Sequence, residues 1–210
     1  MTPIIVFLDI GHGDKGAGEP HDPGATFDGR VERTEAEDYA RRLGELLAAE
    51  PGVQVVTLGT GPYSRRHQAV TTQAGAARGI YLQCHLNAGR GTYALIRPDA
   101  RSQQGARAAA LVAAALDAAL PEVTSHRSDP LYPSNAAAQA AGRKTEGVGS
   151  WWTRGFNCID GVWSAPKVCG LVIEPGFIDA PGHVSLWTPE GRQRVAEAIA
   201  AGLLQWRATL

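Results

Sequence analysis

Short runs of β-branched and aliphatic residues alternate with stretches of helical periodicity along this chain. That alternation restricts it to a largely parallel sheet covered by helices. Ile4 to Leu8 is such a run, and a glycine-rich loop follows it. Thr34-Glu-Ala-Glu37 has the form of a capping box. Ala36, Tyr39, Ala40, Leu43, Leu46 and Leu47 then recur at helical spacing. Pro51-Gly52 ends that helix before a strand over Val53 to Leu58. A second helix is predicted over Arg65 to Ala77, a strand over Ile80 to Cys84 and another over Tyr93 to Ile96. Ala108, Leu111, Val112, Ala115, Leu116 and Leu120 mark a third helix that Pro121 stops. Residues 122–165, with Gly147, Gly149, Trp151, Trp152 and Trp163, show little periodicity and are expected to form a functional surface loop. Leu171 to Ile173 is a last buried strand, and Thr188-Pro189 caps a final helix through Val195, Ile199, Leu203 and Leu204.

Length and charge narrow the function classes. A chain of 210 residues, 44% hydrophobic and 20% charged, buries an adequate core as one domain over 1–210, with no second module expected. A net charge of −1 argues against nucleic acid as a partner, since such proteins carry a basic excess. No run approaches the roughly 18 apolar residues of a membrane span, so no membrane insertion is expected. The opening Met1 to Asp14 lacks a basic region and Asp9 interrupts its apolar run, so it reads as a core strand and not a signal peptide. Cys84, Cys158 and Cys169 have no CxxC spacing; free buried thiols are expected in a chain made in the cytoplasm, with a Cys158–Cys169 bridge as the alternative.

Two histidines and two glutamates stand where the predicted strands end or loops turn: His12, Glu32, His85 and Glu174. Strand ends are rigid, and two imidazoles with a carboxylate hold Zn2+ while leaving a position for water. Glu32, Glu35 and Glu37 compete for the carboxylate. Glu37 is expected to serve the capping box and Glu35 to face the helix dipole, which leaves Glu32, on loop backbone, as the ligand. Glu174 closes an apolar strand, which is costly unless the carboxylate is functional or paired, for instance with Arg66. Its functional reading is a general base. Gly11-His-Gly13-Asp-Lys-Gly16 matches GxGxxG, but Gly18, Pro20, Pro23 and Gly24 deny it the helix a dinucleotide site needs. The glycines are better explained by backbone crowding around His12. His21 is placed within reach of the site, whereas His67, His126 and His183 are expected at the surface.

With these residues in place, the chain resembles the zinc-dependent N-acetylmuramoyl-L-alanine amidases of the amidase 3 type, found in bacterial cell-wall enzymes and phage endolysins. Phe7-Leu-Asp-Ile-Gly-His-Gly13 looks like the opening strand and first zinc histidine, and Asp22-Pro-Gly-Ala25 like the motif that follows. Glu32 falls at the glutamate ligand, Leu82-Gln-Cys-His-Leu-Asn-Ala88 resembles the second histidine motif, and Leu171-Val-Ile-Glu-Pro-Gly-Phe177 the catalytic glutamate segment. Ile10, Gln83, Cys84 and Pro175 depart from the usual residues, and none of these removes a ligand. The resemblance implies a three-layer α/β/α sandwich around a twisted, mostly parallel sheet. It also implies cleavage of the amide joining the lactyl group of N-acetylmuramic acid to L-alanine.

On that reading His12, Glu32 and His85 hold Zn2+, and Glu174 passes a proton from water to the leaving nitrogen. Asn87 is a further candidate to steady the site or touch substrate. The expected partner is peptidoglycan, both glycan strand and stem peptide, and the expected state is a monomer. Two alternatives stand beside this: a zinc carboxypeptidase or other amidohydrolase, with Arg65, Arg66 or Arg154 for a terminal carboxylate, and a non-catalytic wall-binding module. A phage or prophage endolysin released by a holin is the expected biology, with an exported bacterial enzyme as the alternative.

Overall fold

The computed structural model describes residues 2–14, 21–145 and 151–210. The first strand, β1 (Ile4–Ile10), is buried along its whole length, Asp9 included, as its apolar run from Ile4 to Leu8 requires of a strand covered on both faces. A short hairpin, β2 (Thr26–Phe27) and β3 (Arg30–Val31), leads directly into α1 (Glu32–Ala48). Then follow β4 (Val53–Thr57), α2 (Tyr63–Ala74), β5 (Gly79–Cys84), β6 (Tyr93–Pro98), α3 (Gln103–Ala119), β7 (Ser125–Arg127), α4 (Asn135–Ala140), β8 (Val168–Glu174) and α5 (Pro189–Arg207). The main sheet has six strands in the order β4-β1-β5-β8-β6-β7. The first four run parallel; β6 turns antiparallel to β8, and β7 follows β6. The expected α/β sandwich with a mostly parallel sheet is therefore observed, with a reversed edge pair.

Side-chain alternation splits the core. Ile4, Val6, Leu8 and Ile10 point to the face covered by α1, α3 and α5, together with Ile80, Leu82, Leu171 and Ile173. Ile5, Phe7, Tyr81 and Val172 point to the other face, where α2 supplies Val70 and Ala74. The chain leaves β1 toward β4 and returns past it to β5, so α1 and α2 fall on opposite faces. This reversal at β1 is where open α/β sheets leave a crevice beyond the strand ends.

Two expectations need correction. The Thr34–Glu37 capping box does not form: α1 starts at Glu32, Val31 caps it without a side-chain bond, and Glu37 is exposed. The hairpin makes a cap unnecessary, because Glu32 N–H donates to the Ala25 carbonyl (2.9 Å) and Arg33 N–H to the Pro23 carbonyl (3.1 Å). The region 122–165 is also more than a surface loop. Its Leu131, Phe156, Ile159, Val162 and Ala165 complete the α2-side core. Its pattern is illegible because Phe156 and Val162 sit on 3-10 turns (Phe156–Cys158 and Asp160–Ser164) too short to repeat, and Leu131, Ile159 and Ala165 lie outside any helix or longer strand. Gly147 and Gly149 lie outside the described residues. Thr188 does cap α5, accepting from Gly191 N–H at 3.1 Å with Pro189 beginning the helix. The three cysteines are free and buried; Cys158 and Cys169 belong to the two opposite core faces, which rules out a bridge between them. No helix among the described residues is long and apolar enough to cross a membrane.

Candidate metal centre and active-site cleft

Because β1, β5 and β8 are parallel neighbours, their carboxyl ends lie along one edge of the sheet. His12 follows β1, His85 follows β5 and Glu174 closes β8. Glu32 reaches the same place from the amino end of α1. It is the first residue of a helix, not of a loop, and it is buried. His12 Nε2 and His85 Nδ1 each lie 2.9 Å from Glu32 Oε1. One nitrogen from each ring and the carboxylate form a group whose donor atoms all lie within 4.8 Å, an arrangement able to hold a metal ion.

Each ring is held from behind. His12 Nδ1 is 3.0 Å from Asp22 Oδ2, and His85 Nε2 is 2.9 Å from Gln83 Oε1. Such outer bonds fix ring orientation and turn the remaining nitrogen inward. His85 is anchored through its backbone too: its N–H donates to the Ile173 carbonyl at 2.9 Å, and the Tyr39 hydroxyl donates to the His85 carbonyl at 3.2 Å. Glu32 also accepts from the backbone N–H groups of Ala25 (2.9 Å) and Leu86 (3.1 Å). Burial would raise the Glu32 carboxyl, but hydrogen bonds from His12 and His85 outweigh it and hold the group well below the usual carboxylate range. For His85, burial alone would depress the imidazole; the Cys158 thiol and the Glu32 carboxylate reverse that and push it up to about 10.

His12 occupies left-handed backbone at φ +65°, a conformation that costs a non-glycine residue on the order of 1–3 kcal/mol. Its surroundings impose it. Gly13 and Asp22 exchange backbone hydrogen bonds, and Arg33 Nη1 donates to the carbonyls of Gly11 (3.2 Å) and His12 (3.1 Å). The glycines do allow crowding around His12, though for particular neighbours. A Cβ on Gly11 would lie 2.2 Å from His85 Cε1, and one on Gly13 would lie 2.5 Å from Arg33 Nη1. Gly16 and the rest of 15–20 lie outside the described residues. Gly11→Ala is therefore expected to displace the His85 ring and lower stability by about 1–3 kcal/mol, read by urea unfolding. Gly59→Ala, where a Cβ meets nothing within 4 Å, serves as the control.

A cleft of about 680 Å3 opens over this group, and Glu174, Asn87, Arg97, Trp151 and Arg154 line it. Glu174 does not pair with Arg66. That arginine is committed to Asp9 and the Ile10 carbonyl (3.1 Å) below the site. Among the described residues the Glu174 carboxylate has no hydrogen-bond partner. Burial raises its pKa, and the nearby His85 and Arg97 charges pull partly against that. Glu35 is bound to Arg192. Asn87 faces the cleft but its Oδ1 accepts from Ala88 N–H at 2.8 Å, so it does not brace the histidines.

The remaining histidines and tryptophans sort as follows. His21 is exposed and lies 3.0 Å from Asp14, away from the cleft lining. His67 and His183, expected at the surface, are buried: His67 Nε2 meets the Cys158 carbonyl at 2.8 Å, and His183 Nδ1 accepts from Phe177 N–H at 2.9 Å. Backbone partners make a neutral imidazole acceptable in a core. Trp151 lines the cleft, Trp152 packs on Tyr132, and Trp163 is 51% exposed elsewhere. Sequence reasoning assigned no role to Gln83, Arg97 or the Asp22 side chain. Gln83 had one legible signal, its position two residues before His85 on the same strand face.

Residues 6–205 match the family model Amidase_3, described as N-acetylmuramoyl-L-alanine amidase. No curated protein matches the chain by sequence. Solved structures share the fold. An N-acetylmuramoyl-L-alanine amidase from Clostridium difficile 630 superposes with a TM-score of 0.69 at 18% identity, covering 100% of this chain and 99% of that one. The CwlD amidase from Clostridioides difficile, in complex with the GerS lipoprotein, gives 0.71 at 16% identity over 98% and 99% of the two chains. Ami1 from Mycobacterium smegmatis gives 0.63 at 19% identity over 100% and 99%. The family match spans nearly the whole chain, both histidine motifs and both glutamates included, and the chain belongs to the Amidase_3 family of N-acetylmuramoyl-L-alanine amidases.

Proposed function

We propose that this peptidoglycan amidase works as a zinc hydrolase, with His12, Glu32 and His85 as the metal ligands and Glu174 as the proton shuttle. The observation that carries the reading is the convergence of His12 Nε2 and His85 Nδ1 on one oxygen of a buried carboxylate at the floor of an open cleft. The donor set fits: two imidazole nitrogens and a carboxylate oxygen suit Zn2+, and Asp22 and Gln83 occupy the outward ring nitrogens. When bound there, zinc supplies Lewis acidity, lowering the pKa of water toward neutrality and polarising the carbonyl to be attacked.

The chain's own groups do the rest. Glu174 accepts a proton from the attacking water on its carboxylate and returns it to the nitrogen of the leaving L-alanine. Burial suits it to both halves of the transfer, because a raised pKa lies closer to the working pH than that of an exposed carboxylate. The Leu86 and Ala25 N–H groups hold the Glu32 side chain in place while charge changes around it. Digesting purified sacculi and analysing the products by mass spectrometry tests the reading. Stem peptides with a free L-alanine amino terminus and intact glycan are expected, and a chelator should abolish their release until zinc is restored. Undiminished release in the chelated protein would reject the metal, and trimming from the carboxyl end of the stem would make it a carboxypeptidase.

A further inference from the structure

Among the described residues, the charged side chains lining the cleft have hydrogen-bond or ion-pair partners, except Glu174 and Arg154. Asp9 holds Arg66, Asp22 meets His12, and Arg127 pairs with Asp129 at 2.9 Å. Arg154 lines the cleft and is exposed; among the described residues its guanidinium makes no hydrogen bond or ion pair. Its backbone, by contrast, is fixed. Arg97, buried at 4% exposure, donates from Nη1 to the Arg154 carbonyl at 2.9 Å and from Nη2 to the Trp151 carbonyl. The same guanidinium lies 4.7 Å over the Trp151 ring, whose Nε1 donates to Asp129 Oδ2 at 2.9 Å. Arg97 thus spends its donors on the cleft wall, and Arg154 stands on a rigid root with its guanidinium unbonded among the described residues, its charge felt by Glu174.

The chemistry of a muramoyl peptide limits what such a cation meets. Its lactyl carboxyl is consumed in the amide to be cut, and its sugars carry hydroxyl and acetamido groups, so the acids lie in the peptide. Of the arginines that suit a peptide carboxylate, Arg65 is absent from the cleft lining and Arg66 is tied to Asp9. We propose that Arg154 binds a stem-peptide carboxylate and makes the enzyme prefer stems with free carboxyls over amidated ones. The proposal rests on the amidase reading above. A planar guanidinium offers a carboxylate two parallel N–H donors, and a pre-fixed backbone reduces the entropy lost on binding.

Two soluble muramoyl peptides test it, one with every stem carboxyl free and the other with each as the carboxamide. In the wild type, kcat/KM is expected to favour the free acid by about 10-fold, the worth of one charge-assisted hydrogen bond. In Arg154→Gln that ratio should fall to about one, with the change in KM, and Arg154→Lys should keep part of the preference. Equal rates on both substrates in the wild type, or an unaltered ratio in Arg154→Gln, would overturn the inference and leave the amidase reading intact. If the wild type cuts neither substrate at the muramoyl–alanine bond, the amidase reading fails and this one with it.

Discussion

Glu174→Gln is expected to fold, to bind zinc as the wild type does, and to hydrolyse the muramoyl amide at least about 100-fold more slowly, the usual worth of a positioned general base. Loss of rate without loss of metal separates a proton shuttle from a ligand, so zinc content and turnover must be measured on the same preparation. Stability supplies an independent check. The Glu174 carboxylate sits at the end of a buried strand with no hydrogen-bond partner among the described residues, and burial raises its pKa. Replacing it with a neutral amide removes part of that desolvation cost, so the unfolding midpoint should stay level or rise. A variant that keeps near wild-type turnover would remove Glu174 from the mechanism.

Glu32→Gln should lower zinc affinity by at least about 100-fold, since mutating the outer partners of metal ligands already costs about 10–100-fold and this carboxylate is proposed as a ligand itself. The amide is the better test than alanine. Glu32 accepts from Leu86 and Ala25 N–H groups and from both histidines, and deleting it would strand those donors at about 1–3 kcal/mol for each buried group. Gln retains one acceptor oxygen and removes the charge. Competition against a chromophoric chelator reads the affinity, and unfolding of the metal-free protein reads the fold. Matched variants of its neighbours complete the test: Glu35 is occupied by Arg192 and Glu37 is exposed, so neither should alter zinc binding. Unchanged zinc affinity in Glu32→Gln would return the ligand question to those two.

The sequence singles out Glu32 from its neighbours through a capping box that does not form. Glu35 and Glu37 are set apart from the two histidines by other means, an ion pair and simple exposure. The error has a physical source. A Thr-x-x-Glu pattern predicts a cap only where the first-turn N–H groups lack partners, and here the β2–β3 hairpin and the Pro23–Ala25 loop supply carbonyls from distant residues. His67 and His183 fail for a similar reason. Their polarity argues for the surface, but carbonyls and N–H groups brought in by folding satisfy both rings.

What the sequence determined by itself was the five longer strands and their order along the chain, because burial on both faces writes itself as largely apolar runs at β1, β5 and β8, whereas the short β2, β3 and β7 left no such signal. It also determined which ionisable residues end those runs. Only the tertiary structure decided that β1, β5 and β8 are neighbours with their carboxyl ends together, which turns four separated residues into one site. It likewise decided that Gln83 and Asp22 brace the rings, that Arg66 serves Asp9, and that Arg97 fixes the wall bearing Arg154. These are contacts between residues far apart in the chain or turned by irregular backbone. No local periodicity encodes them; they exist only once strand order and register have brought the side chains together.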